Sequence, residues 1–217
     1  MTKKSLQPQC SSQAFEGMPD VITAMTAKPE AVEKPALLLH SCCGPCSTAV
    51  IERLIDDYDI TVYFYNPCIT DQDEYERRKE SQIRFIEHYN LHLGGAGKVH
   101  FIEGDYDPEN YFQAVKGHEE ELEGGSRCTI CFTQRLEKTA EAAKLGGYPL
   151  FTTTLTVSPH KNYPLISAIG KVAAETYDVE FLDLDFKKKA GFQRSIQLSK
   201  EYELYRQNYC GCEFSKR

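Results

Sequence analysis

Cysteine is the residue type in this 217-residue chain that most directly suggests chemistry: there are nine, with six His and no Trp. Cys42, Cys43 and Cys46 form C-C-G-P-C, Cys128 and Cys131 form R-C-T-I-C-F, and Cys210 and Cys212 form Y-C-G-C. Cys68 stands in N-P-C-I, and Cys10 stands alone near the start. An odd count forbids complete internal pairing. The opening MTKKSLQPQCSSQAFEG has no apolar core of a secretory signal, and no apolar run approaches the ~18 residues of a membrane span. The expected location is cytoplasmic, where clustered cysteines serve metal or redox chemistry rather than disulfides.

The spacing gives a physical reason for sulfur ligation. In C-x-x-C two sulfurs share one helical turn, and a helix N-terminus favours the thiolate, the ligand form. Gly44 and Gly211 let backbone approach a bulky cofactor. Adjacent side chains diverge, so Cys42 and Cys43 are expected to serve two neighbouring centres rather than one ion. Four sulfurs alone suit structural zinc, whereas a surplus in a crevice favours an iron–sulfur cluster; from spacing both remain open.

The elements that must position these groups alternate. Strands are expected at Ala36–Ser41, Ile60–Tyr65, Val99–Ile102, Leu150–Thr154 and Glu180–Leu184. Helices are expected at Ser47–Tyr58, Glu74–Tyr89, Glu109–Val115, Thr129–Leu145, Pro164–Glu175 and Phe192–Leu204, with an acidic loop at Glu119–Gly125. The pattern predicts an α/β domain, a mostly parallel sheet covered by helices and Rossmann-like, over residues 35–217. Residues 1–34 read as a flexible leader, with one short helical turn at Val21–Ala27 and Cys10 as a bystander. In such folds ligands bind beyond the carboxyl ends of the strands, where three of the cysteine sites fall. The terminal C-G-C must fold back over that crevice.

Polar candidates lie at the same edge. His160 and Lys161, in S-P-H-K, are candidates for proton donation or phosphate contact. Asp105, in G-D-Y-D, is a candidate ligand, substrate contact or helix cap. His40 reads as a core histidine or an acid. The net charge of −7 excludes binding of nucleic acid by bulk charge. Residues 187–217 nevertheless hold eight Lys or Arg against three Glu, interleaved with Tyr202, Tyr205 and Tyr209. That combination suits phosphate contact with base stacking, or a solvated helix with buried tyrosines.

LLLHSCCGPCS, ENYFQAVKGHEEELEGGSRCTICFTQRL, TTTLTVSPHKN and FKKKAGFQRSIQLSKEYELYRQNYCGCEFS, spread over residues 35–215, resemble the cobalamin-independent epoxyqueuosine reductases of the QueH type. The resemblance implies reductive deoxygenation of epoxyqueuosine to queuosine in the anticodon loop of tRNA, the last step of queuosine formation, fed by an external electron donor. It implies a [4Fe-4S] cluster with an adjacent single iron, and a fold of the adenine-nucleotide-hydrolase/PP-loop-like group. The ligand set expected under it is Cys42, Cys43, Cys128, Cys131, Cys210 and Cys212. Cys128, Cys131, Cys210 and one of Cys42/Cys43 are assigned to the cluster, and the other of that pair with Cys212 to the iron. Cys46 is a weaker ligand candidate, able to pack or to act as a redox partner of Cys43. Members commonly carry N-P-N-I where this chain has Asn66-Pro67-Cys68-Ile69, so Cys68 is expected to be a neighbour rather than a ligand. C-C-G-P-C-S replaces the S-G-G-x-D-S loop of the ATP-using relatives, which disfavours a PP-loop-like sulfur-transfer enzyme. A zinc-stabilised nucleic-acid-binding module is the non-enzymatic rival.

Overall fold

The computed structural model describes residues 34–94 and 98–216. The leader through residue 33, with Cys10 and the turn expected at Val21–Ala27, lies outside them. Five parallel strands form one sheet: β1 (Ala36–His40), β2 (Asp59–Phe64), β3 (His100–Glu103), β4 (Leu150–Thr153) and β5 (Glu180–Phe181), in the order β3-β2-β1-β4-β5. The strands are joined by α1 (Gly44–Leu54), α2 (Gln72–His92), α3 (Pro108–Ala114), α4 (Ser126–Gly146) and α5 (Tyr163–Tyr177), and α6 (Gly191–Glu201) follows the sheet. The α/β, Rossmann-like expectation is borne out.

The alternation of β1 explains the layering. Leu37 and Leu39 pack with Val50, Ile51 and Leu54 of α1 and with Phe85 and Ile86 of α2 on one face. Leu38 packs with Leu136 and Ala140 of α4 and with Ile166 of α5 on the other. Both faces are therefore apolar, as a parallel sheet covered on both sides requires. The strand order reverses between β1 and β4, and the crevice beyond their carboxyl ends is where such folds place ligands.

Four boundaries differ from expectation in ways that matter to the site. α1 starts at Gly44 rather than Ser47, because Pro45, with its fixed φ, sits in the first helical turn. Cys46 is therefore in that turn, and Cys43 is the extended residue just before it. α4 starts at Ser126, not Thr129, so Cys128 also lies in a first turn. β5 stops at Phe181 instead of Leu184. Beyond it Leu182 N still donates to Phe151 O at 2.9 Å, and threonine hydroxyls of the neighbouring segment take the carbonyls: Thr152 Oγ1 donates to Leu182 O at 2.8 Å and Thr156 Oγ1 to Leu184 O at 2.9 Å. α6 ends at Glu201, short of Leu204, where Glu203 takes a left-handed φ of 50°.

Candidate metal centre

The loop from β1 into α1 carries three thiols into the crevice. The Sγ atoms of Cys42, Cys43 and Cys46 all lie within 4.8 Å of one another, and those of Cys42 and Cys43 are 3.9 Å apart. Two sulfurs bound to one tetrahedral ion at ~2.3 Å stand roughly 3.8 Å apart. The side chains of Cys42 and Cys43 thus converge rather than diverge. Cys43 leaves the strand extended and the helix begins at once, so the turn brings its sulfur back beside Cys42 and Cys46. The triad is a donor set able to hold a metal ion, and Cys46, the weaker candidate by sequence, is one of its three members.

A second set adjoins it. Cys68, Cys128, Cys131, Cys210 and Cys212 line one cavity. The two sets meet where Cys128 packs against the cluster of side chains around Cys42, Cys43 and Phe132. Cys68, expected to be only a neighbour, is 3% exposed and packs with Cys131 and Cys212. A hydrogen bond from Cys131 pulls its thiol down to about 6. Sequence alone did not signal it, because a lone cysteine on the β2–α2 connection acquires sulfur neighbours only when the sheet folds. All eight described cysteines are free thiols.

The C-terminal segment does fold back over the crevice, held by a buried arginine. Arg78 of α2 is fully buried and gives Nε to Glu74 at 2.7 Å. Its Nη1 donates to Cys210 O at 3.0 Å and its Nη2 to Tyr209 O at 3.3 Å. Gly211 between the two cysteines has φ +130°, and a Cβ there would meet Ile69 Cγ1 at 3.0 Å and Arg78 Nη1 at 3.2 Å. Only glycine meets both demands. Gln207, in the same segment, donates from Nε2 to Cys43 Sγ at 3.0 Å, so the tail reaches both sulfur sets.

Cations surround the thiols. Hydrogen bonds from Cys43 and Cys46 hold the Cys42 thiol well below its ordinary range, aided by the charges of Lys161 and Arg135. Conversely, sharing those bonds pushes Cys43 and Cys46 up. Burial works against the charge on Lys161, but the sulfurs of Cys210 and Cys42 outweigh it and raise the ammonium. Concentrated, partly ionised sulfur held among cations is the chemistry of a metal or cluster site. The residues fit such a group.

His40 lies beneath the triad, fully buried. Its Nε2 donates to Tyr65 O at 3.1 Å and its Nδ1 accepts from Thr153 Oγ1 at 2.9 Å, that hydroxyl accepting in turn from Leu155 N at 3.1 Å. Burial and the charge of Arg135 lower its pKa to about 3, so it is a neutral core histidine joining β2, β1 and β4. His160 is exposed in the turn after β4. Asp105 is exposed too, and the cap of α3 is Asp107 instead, whose side chain accepts from Asn110 N at 3.1 Å. The tyrosines of the tail serve largely to anchor it. Tyr202 meets Phe85 edge-on at 5.1 Å, Tyr205 donates to Glu74 Oε2 at 2.7 Å, and Tyr209 sits under Arg78 and Lys216. Among the described residues no helix is long and apolar enough to cross a membrane.

Comparison with known proteins agrees with this architecture. The family model described as "Epoxyqueuosine reductase QueH" matches residues 37–217. A Streptococcus pyogenes protein named epoxyqueuosine reductase QueH is 44% identical over 184 residues, covering 85% of this chain and 71% of its own length. The Haemophilus influenzae protein of that name is 45% identical over 183 residues, covering 83% and 71%. The one from Thermotoga maritima is 38% identical over 182 residues, covering 82% and 89%. A match that runs unbroken from β1 to the terminal C-G-C takes in every described cysteine, and the chain belongs to the epoxyqueuosine reductase QueH family.

Proposed function

We propose that this chain is an epoxyqueuosine reductase: it removes the epoxide oxygen of epoxyqueuosine in the anticodon loop of tRNA, leaving queuosine, in the cytoplasm and with electrons from an external donor. The observation that carries the reading is the pair of adjoining cysteine sets at the switch point of the sheet, in a chain of this family. In this reading residues 35–217 are a single catalytic domain.

The short sulfur separations of Cys42, Cys43 and Cys46 favour a single iron there. Cys128, Cys131, Cys210 and Cys212 are then four thiolates for a [4Fe-4S] cluster in the adjoining cavity. This replaces the partition expected from sequence, which divided Cys42 from Cys43. When bound, such a cluster supplies electrons singly at low potential and a neighbouring iron acts as a Lewis acid toward an oxygen. The chain's own residues do the rest. Lys161, whose ammonium the sulfurs of Cys210 and Cys42 keep charged, is the proton donor of this proposal. His160 and Asp105, both exposed, are assigned to contact with the tRNA at the rim. The nucleoside must leave the stack of the anticodon loop to reach the crevice.

The test is direct. Anaerobically reconstituted protein is mixed with tRNA containing epoxyqueuosine and a chemical reductant, and the nucleoside is read by mass. Loss of one oxygen is expected, without ATP. An intact cluster and bound tRNA with no change in mass would refute the proposal. Protein that binds only zinc, stoichiometrically and without colour, would favour the non-enzymatic rival.

A further inference from the structure

Two arginines line the five-cysteine cavity alongside the thiols, Arg127 and Arg135. They are 1% and 2% exposed. Among the described residues neither is ion-paired to a carboxylate. Arg135 gives Nε to Cys131 O at 3.2 Å, which fixes its guanidinium on the turn that carries a cavity thiol. Its Nη2 is buried with no partner. Arg127 spends Nη1 on the carbonyls of His118, Glu119 and Glu121, and its Nε and Nη2 are likewise buried without partners. An unpaired buried cation is costly, and orphaned donors add to the cost. The sulfurs of Cys131, Cys68, Cys210 and Cys42 act on the charge of Arg135, and Glu123 lines the same cavity without pairing to either arginine. Both arginines thus stand in the wall of the cavity with no paired carboxylate and with buried donors unused.

We infer that Arg135, with Arg127 beside it, is a positioning residue whose unused N–H groups and positive charge face the sulfur-rich group in the cavity, set its reduction potential and support its loading. Net charge and hydrogen bonds to sulfur are two of the levers that tune an iron–sulfur potential. Removing a cation and a donor shifts it negative, because the reduced state carries one more negative charge. This inference rests on the iron–sulfur reading above.

The experiment uses the full chain as wild type, Arg135→Gln and Arg135→Lys, reconstituted anaerobically with iron and sulfide. Three quantities are read: iron and sulfide per chain, reduction potential by optical titration, and hyperfine coupling of exchangeable protons to the reduced cluster in H2O against D2O. Arg135→Gln is expected to load less iron and to have a more negative potential, with the exchangeable coupling diminished. Arg135→Lys keeps charge without the planar fork and should fall between it and wild type. Wild-type loading, potential and coupling in Arg135→Gln would overturn the inference while leaving the reductase reading intact. Where circular dichroism shows that Arg135→Gln does not fold, Arg135→Lys decides, and wild-type potential and coupling in it overturn the inference. Failure of the wild-type protein to take up iron and sulfide would overturn the metal reading and this inference with it.

Discussion

At the scale of single residues, the geometry of three sulfurs separates two roles that one element cannot usually share. Cys42, Cys43 and Cys46 are close enough for one ion, and Gln207 holds Cys43 from the far end of the chain. Cys46→Ser should lower iron by about one equivalent per chain while sulfide is retained, since a hydroxyl is a poor replacement for a thiolate on soft metal. Iron and sulfide analysis checks this, and loss of sulfide in proportion to iron would contradict the assignment. Cys46 was legible in the sequence as a member of a motif. Its convergence with the adjacent pair was not, because that depends on where α1 begins.

At the scale of elements, β1 and the C-terminal segment carry the site, and each is tied down by one buried polar side chain. His40 bridges three strands as a neutral ring. Its folded pKa is near 3, against an ordinary 6.5, so only the unfolded chain takes up the proton between those values. Its contribution to stability is full above about pH 6.5 and is lost as pH falls toward 3, by at most about 1.4 kcal/mol per pH unit. The urea midpoint of wild type should therefore fall more steeply between pH 6.5 and 4 than that of His40→Gln; parallel curves would show that the ring is not the titrating group. The C-terminal segment depends on Gly211 in the same way. Gly211→Ala forces an L side chain to φ +130° against Ile69 and Arg78, a strain on the order of 1–3 kcal/mol. A lowered thermal midpoint with reduced iron content is expected, and wild-type values in both would show that the tail does not need this conformation.

Across the whole molecule, an acidic protein must still meet a polyanion if the proposed substrate is right. The basic excess of the tail is partly spent inside: Arg194 binds Glu52 at 2.8 Å and Lys216 binds Asp71 at 3.0 Å. Lys188, Lys189, Lys200 and Arg206 remain exposed. Lys188→Ala with Lys189→Ala should weaken tRNA binding evenly across tRNA sequences and lower the slope of log affinity against log salt by about one to two. Filter binding or fluorescence at several salt concentrations measures it. An unchanged slope would place the tRNA on another face.

The sequence by itself determined the strand–helix alternation, because β-branched runs such as Ile60–Tyr65 and capping residues such as Pro45 are local signals. It also determined that cysteines would gather at the carboxyl edge, because three of their motifs follow strands or open helices. What it left open was distance. Cys68 reads as solitary until the connection after β2 packs against Cys131 of α4, and Tyr202 reads as a stacking platform until α6 turns it into the core beside Phe85. The orphaned donors of Arg127 and Arg135 have no sequence signature at all. Burial, convergence of sulfurs and the absence of a counter-charge are properties of residues far apart in the chain. Tertiary structure alone decided them, since packing rather than spacing sets which groups lose water together.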